Sequence, residues 1–221
     1  LMSAEGHEYT QLIEKGLMGA VFTNQMTMNY LAGIDSDDNT SAVDAANGKY
    51  YTEMEHHWDE AYGYFTSEID YPTSGTDRFW GKYANKRESV LESKTKLAEA
   101  FRKGRAAISN KDYETRDAQV TIINTEMEKL AAGTAIHYLK SAKTNIANAT
   151  ARNHAISEAV AFLEGLKYGY RASNGGMTST QINVVLGTIG TDFNAVTLTN
   201  LDAVITDIAS KTGLTSYVSS L

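Results

Sequence analysis

Within Glu53-Met54-Glu55-His56-His57-Trp58-Asp59-Glu60, two imidazoles and four carboxylates fall in eight consecutive residues. No other part of the chain is as well supplied with groups that hold metals or carry protons. On a helix, residues three and four apart share a face, so Glu53, His56, His57, Glu60 and Tyr64 form one polar stripe. His57 and Glu60 make a H-x-x-E pair one turn apart, the spacing at which one nitrogen and one or two oxygens can meet a single ion. His56 points about 100° away around the helix, which leaves it the task of orienting a ligand by hydrogen bonding. The same stripe also suits a solvated helix face. The interleaved Trp58, Tyr62, Tyr64 and Phe65 require an apolar side that is buried, and this sets the stripe near a packed interface.

A second His/carboxylate pair, His154 and Glu158, lies one turn apart on a later helix. The expected metal site therefore comprises His57, Glu60, His154 and Glu158, provided the two helices converge. His137, beside Tyr138 on an apolar-rich helix, reads as a satisfied core histidine, and His7 as exposed and uninvolved. Neutral imidazole with carboxylate suits iron, zinc or manganese better than calcium, and the absence of thiolates disfavours Cu(I). Iron is favoured, with zinc the alternative. Haem ranks lower: Trp58 and Tyr64 would supply an aromatic wall beside an axial histidine, but the neighbouring carboxylates suit a cation better than a porphyrin face.

The elements that position these residues are helical. One proline in 221 residues, with long Ala, Leu, Glu, Lys and Gln stretches, predicts an all-α protein. Apolar periodicity places helices over about His7–Ala32, with Gly16 and Gly19 allowing a close crossing and Gly33 near the end, then over the His-bearing segment after Tyr50. Further helices are expected over Arg78–Ser89, Leu91–Ser109, Lys111–Asn148, Ala151–Tyr170, Ser179–Ile189 and Leu198–Lys211. Gly133, within the helix over Lys111–Asn148, leaves room for another backbone or a ligand. Tyr71–Asp77 reads as a turn. Short connections favour an antiparallel bundle, whose sites are built from facing helices. A region over 1–170 is expected to form that bundle, with a C-terminal helical pair over 171–221 packed on it.

Composition removes several function classes. Zero cysteines exclude Cys-ligated zinc, iron–sulfur clusters and thiol nucleophiles. A net charge of −7 argues against a nucleic-acid partner. Lys82, Lys86 and Arg87, like Arg102, Lys103 and Arg105, read as solvated faces. No apolar run approaches the roughly 20 residues needed to cross a bilayer, and Leu1-Met2-Ser3-Ala4-Glu5 has neither the basic nor the apolar region of a signal peptide. The chain thus reads as a processed or partial product of something longer. Asp35-Ser36-Asp37-Asp38-Asn39 imitates the start of a calcium loop, but Thr40 replaces the required glycine and Ala46 the bidentate glutamate, so a flexible acidic turn is expected. The H-E-x-x-H, G-x-S-x-G and phosphate-loop motifs are absent, and no catalytic residue is assigned.

Several segments together resemble the DUF4856 family of the imelysin-like group of bacterial envelope proteins: Glu55-His56-His57-Trp58-Asp59-Glu60-Ala61-Tyr62-Gly63-Tyr64-Phe65, Arg78-Phe79-Trp80-Gly81-Lys82-Tyr83, Gly104-Arg105-Ala106-Ala107-Ile108 and Arg152-Asn153-His154-Ala155-Ile156-Ser157-Glu158-Ala159. The similarity extends over most of the chain and weakens over the last forty or so residues. The H-x-x-E signature of the group maps onto His57 and Glu60, although Glu55 stands where the wider group has glycine. The resemblance implies helical bundles, with an N-terminal part beyond this chain. It further implies an exported envelope or lipoprotein location, in the periplasm, at the outer membrane or on the cell surface. The implied function is binding of iron or an iron complex in iron acquisition, alongside an outer-membrane uptake or surface-assembly partner. Two alternatives accompany that reading: a structural or adhesive surface component without metal chemistry, and a peptidase of the kind named in the wider group.

Overall fold

The chain is described by a computed structural model over residues 2–73 and 77–221. The first helical rod starts as α1 (Tyr9–Leu17), continues through two π-helical stretches, Met18–Thr23 and Gln25–Tyr30, and ends as α2 (Leu31–Gly33). It covers the single helix expected from the sequence, but its middle is wound more loosely. In a π-helix the main-chain bonds reach back five residues. The Asn24 N–H accordingly reaches the Gly19 carbonyl and the Leu31 N–H that of Met26. Side chains supplement the ladder: the Trp80 indole N–H and the Thr23 hydroxyl both donate to the Met18 carbonyl, at 3.3 and 3.2 Å. Gly19 is the crossing point. A Cβ there would lie 2.2 Å from the Gly165 Cα, so two backbones are in contact where any side chain would force them apart. Gly16, the other candidate for this role, has nothing near it.

Helix α3 (Glu53–Phe65) starts at a capping box in which the Thr52 hydroxyl accepts from the Glu55 N–H and the Glu55 carboxylate from the Thr52 N–H. Met54, Trp58, Ala61 and Phe65 follow at helical spacing and are all buried. The Trp58 ring lies on Gly104, where a Cβ would stand 2.0 Å from its Cζ2, and its indole N–H donates 3.0 Å to the Phe101 carbonyl. Helices α4 (Phe79–Leu91) and α5 (Ser93–Ser109) are separated by Glu92, in the left-handed conformation at φ 57°. The long α6 (Tyr113–Thr144) lies at the centre, against α5 and α7 (Ala149–Leu166), while α1 packs along α7.

The last two helices, α8 (Ser179–Ile189) and α9 (Leu198–Thr212), begin with capping boxes at Thr178/Gln181 and Thr197/Asn200. They pack on each other, α8 also on α7 and α9 on α6. Gly133 faces Leu91, Leu214 and Leu221, so its missing side chain admits apolar groups. The fold is all-α: the described residues contain only two isolated bridge pairs, Met2 with Glu8 and Asp44 with Lys49, and no strand. No described helix is long and apolar enough to cross a membrane. Of the turn expected over Tyr71–Asp77, Ser74, Gly75 and Thr76 lie outside the described residues.

Candidate functional site: the Asp37–His57 pair and its aromatic flank

The turn after α2 does not hang free. Asp35 pairs with Arg116, the Asp38 carboxylate accepts from the Thr40 N–H at 2.7 Å, and Asn39 donates 2.8 Å to the Ile108 carbonyl while accepting from the Thr52 hydroxyl. Glu53, at the start of α3, accepts from the Asp38 N–H. These contacts hold the run expected to be a flexible acidic turn against α3 and α5, and they deliver the Asp37 carboxylate to His57. The His57 Nδ1–H donates to Asp37 Oδ2 at 2.8 Å. Asp37 is mostly buried, whereas the His57 side chain keeps 31% of its surface. An imidazole whose Nδ1–H is held by a carboxylate presents a lone pair on Nε2, and this Nε2 has no hydrogen-bond partner among the described residues.

Aromatic rings flank that imidazole. Tyr30, from the second π-helical stretch, lies 5.5 Å from the His57 ring and stacks on Tyr64 at 5.8 Å and 28°. Burial, then the neighbouring Glu60 carboxylate and the Tyr64 hydroxyl, push the Tyr30 phenol above its ordinary value. Glu60 thus borders the site through the tyrosines. Its imidazole partner is His56, with Nε2 at 3.5 Å, and His56 in turn stacks on Tyr51 at 5.2 Å. The pairing expected from spacing, His57 with Glu60, is therefore replaced by His56 with Glu60 one turn on, and by His57 with Asp37. Asp37, not His56, orients His57.

Glu55, off the stripe but in the same eight-residue run, is committed to structure. The Glu55 carboxylate accepts from Arg105 and the Ser109 hydroxyl, both at 2.7 Å. Burial acts to raise Glu55, but its hydrogen bonds from Ser109, Thr52 and Arg105 outweigh that and leave it below the ordinary carboxylate value. Arg105 is consequently a tie between α5 and α3 and not part of a solvated face. Arg87, another residue read as solvated, is buried, and its Nε has no partner among the described residues.

The second pair sits in a different environment. His154 Nδ1–H donates 2.6 Å to Glu8 Oε2, while Nε2 stands 3.6 Å from Glu158 Oε2, an ion-pair distance too long for a hydrogen bond. Glu158 is buried and faces the equally buried Lys15 at 3.8 Å. It also lies beside Tyr138, whose hydroxyl is pushed up to about 12 by burial and by that carboxylate. The Glu8 N–H donates 2.9 Å to the Ser157 hydroxyl. Burial works to raise the Glu8 carboxyl, but the hydrogen bonds from His154 and Gln11 prevail and lower it. With a carboxylate at each ring nitrogen, His154 acts as a clasp between the N-terminal segment and α7.

The four expected ligands do not form one cluster. Among the described residues, no three His, Asp or Glu side chains are grouped so as to hold a metal ion. The reason lies in the packing: α3 turns His57 toward the Asp37 turn and Tyr30, whereas α7 turns His154 toward Glu8 at the start of α1. His137 donates to the Leu221 carbonyl at 2.8 Å and is held below its ordinary value by burial; it is satisfied by the main chain as expected, but half-buried at the edge of the core and not within it. His7 is not idle. It bonds the Thr191 carbonyl at 2.7 Å and packs its ring on Phe193 at 4.4 Å. Asp37, Tyr30 and Glu8 escaped the reading of the sequence because each reaches its histidine from a separate segment.

The family model for DUF4856, a domain of unknown function, matches residues 1–215, and the chain belongs to that family. No curated protein and no solved structure matches the chain.

Proposed function

We propose that this member of the DUF4856 family is an exported bacterial envelope protein that binds a metal, iron first and zinc as the alternative, presented as a complex to His57. The observation that carries this reading is the Asp37–His57 bond, which leaves Nε2 without a hydrogen-bond partner among the described residues on a side chain that keeps 31% of its surface. An imidazole backed by a carboxylate is held in the tautomer and ring orientation that metal ligation needs. A bare ion needs several protein ligands, and no such group is assembled among the described residues. A complex carrying its own ligands needs only an open position filled by one imidazole, and the stacked Tyr30 and Tyr64 rings give it an aromatic flank. Asp37 and Glu60 favour a cationic centre over haem. The likeness of the His57–Glu60 spacing to the imelysin-like signature supports the envelope location and the link to iron acquisition.

A second reading, a structural or adhesive surface component, draws on His154. Its two carboxylates, Glu8 and Glu158, make a polar clasp that needs no metal.

The two readings separate in one experiment. The native protein and its His57→Ala and His154→Ala variants are incubated with ferric citrate or with Zn(II), desalted, and assayed for metal by inductively coupled plasma mass spectrometry. Stoichiometric metal on the native chain and on His154→Ala, lost in His57→Ala, supports binding at His57. Equal retention by all three, or none, removes that reading and leaves the surface component.

A further inference from the structure

Away from His57, on the side of the π-helical rod that faces α6, two cavities adjoin. The inner one, about 20 Å³, lies among Thr23, Thr27, Trp80, Met127 and Gly165. The outer is an open cleft of about 430 Å³ bordered by Ile34, Asp35, Asp117, Val120 and Thr125. Asn124, Tyr170 and Arg171 line both. The inner space is the size of a single water, whereas the outer falls in the range of small-molecule sites.

One group in this cleft is unexplained by the fold. Asn124 is 3% exposed, and its Oδ1 is buried without a hydrogen-bond partner among the described residues. Leaving such an oxygen unpaired costs about 1–3 kcal/mol, so buried polar atoms normally have partners. The charged residues around it are already committed. Arg171 donates to Glu128 and to the Asn174 and Gly175 carbonyls. Asp35 and Asp117 both pair with the buried Arg116. Among the described residues that line the cleft, no cation is therefore left uncommitted to capture a phosphate or carboxylate.

Neutral groups and spare acceptors remain. The Thr125 and Tyr170 hydroxyls have no hydrogen bond to the described residues, and the two aspartates keep unused lone pairs toward solvent. Half-buried Val120 gives the wall its apolar part, with buried Ile34 behind it. Planar acceptors with a buried amide beside them suit a molecule with adjacent hydroxyls on a C–H-bearing ring: the hydroxyls donate to the carboxylates and pair with the Asn124 amide, and the ring lies on the apolar part of the wall.

The geometry points to a binding site for a neutral, polyhydroxylated ligand of monosaccharide size in the cleft between the π-helical rod and α6, with Asn124 at its floor. It is independent of metal binding at His57.

Saturation-transfer NMR on the native chain tests it, with glucose, galactose, mannose and N-acetylglucosamine as probes and putrescine and inorganic phosphate as competitors. At least one sugar is expected to bind with a dissociation constant in the millimolar range or tighter. Asn124→Leu, similar in volume but unable to hydrogen-bond, should weaken it about tenfold. Thr125→Val, at the half-buried rim, should weaken it by a smaller factor, and it decides the matter if Asn124→Leu does not fold. Absence of binding by all four sugars, equal binding to the variants, or displacement by putrescine or phosphate would overturn the proposal. The first of these outcomes would make the inner cavity a site for structural water.

Discussion

Asp37 Oδ2 lies 2.8 Å from His57 Nδ1 across twenty residues of sequence, and this bond joins the turn after α2 to the helix that carries the densest group of titratable residues. A carboxylate in this position fixes both the tautomer and the ring plane of its histidine. In Asp37→Ala the ring is free to rotate, and the affinity for ferric citrate should fall by about 10–100-fold with the far-UV circular dichroism unchanged. Asp37→Asn, which keeps an acceptor but loses the charge, should fall between the two. Titrations that give Asp37→Ala the affinity of the native protein would mean that His57 is not the ligand.

The two glycines of the first rod make opposite predictions. A Cβ on Gly19 would stand 2.2 Å from the Gly165 Cα, and backbone cannot swing aside as a side chain can. Gly19→Ala should cost about 1–3 kcal/mol in urea unfolding, the range for overpacking a close contact. Gly16, with nothing near its absent Cβ, should tolerate the same change and gain up to about 1 kcal/mol from the higher helix propensity of alanine.

The clasp made by His154 should act locally. In Glu8→Ala the N-terminal segment loses its 2.6 Å bond to α7, and amide hydrogen exchange should speed up over the residues before α1 and in its first turn. The half-exposed imidazole limits the global loss to about 1 kcal/mol. Exchange in α9, which packs on α6 and α8, should not change.

Stability should depend on pH through His137. Burial, partly offset by the Leu221 carbonyl, holds this imidazole below its ordinary 6.5. Below 6.5 the unfolded chain takes up a proton that the folded one resists, so the unfolded state binds more protons and stability falls as the pH drops toward the folded value. Urea midpoints should decline across that window in the native protein and less so in His137→Asn, whose amide can still donate to Leu221. Glu8 and Glu55, both lowered in the folded state, contribute stability above the ordinary 4.5 that is lost only in stronger acid, so the histidine phase is separable.

The elements were legible because local rules write them. Thr52 with Glu55, Thr178 with Gln181 and Thr197 with Asn200 start helices by satisfying their own main chain, and the spacing of Met54, Trp58, Ala61 and Phe65 marks a buried side. The π-helical stretches were not legible. Nothing in Met18–Tyr30 departs from α-helical spacing, and the wider winding accompanies contacts made by Trp80, sixty-two residues on, and by Gly165.

For the site, helix spacing brings His154 to Glu158 four residues on, at 3.6 Å, and His56 to Glu60, at 3.5 Å, but it does not bring His57 to Glu60. Which carboxylate each histidine meets was decided by the tertiary structure. Asp37 is delivered by a turn anchored through Asn39 and Arg116, and Glu8 by a rod that lies along α7 because Gly19 lets it approach Gly165. The same holds for Asn124, an ordinary polar residue in sequence that becomes an unpaired buried amide only when the rod and α6 close over it. Helix periodicity is a property of the chain with itself. The partner of a side chain that points away from its own helix depends on how helices cross, and that is fixed by contacts between residues far apart in sequence.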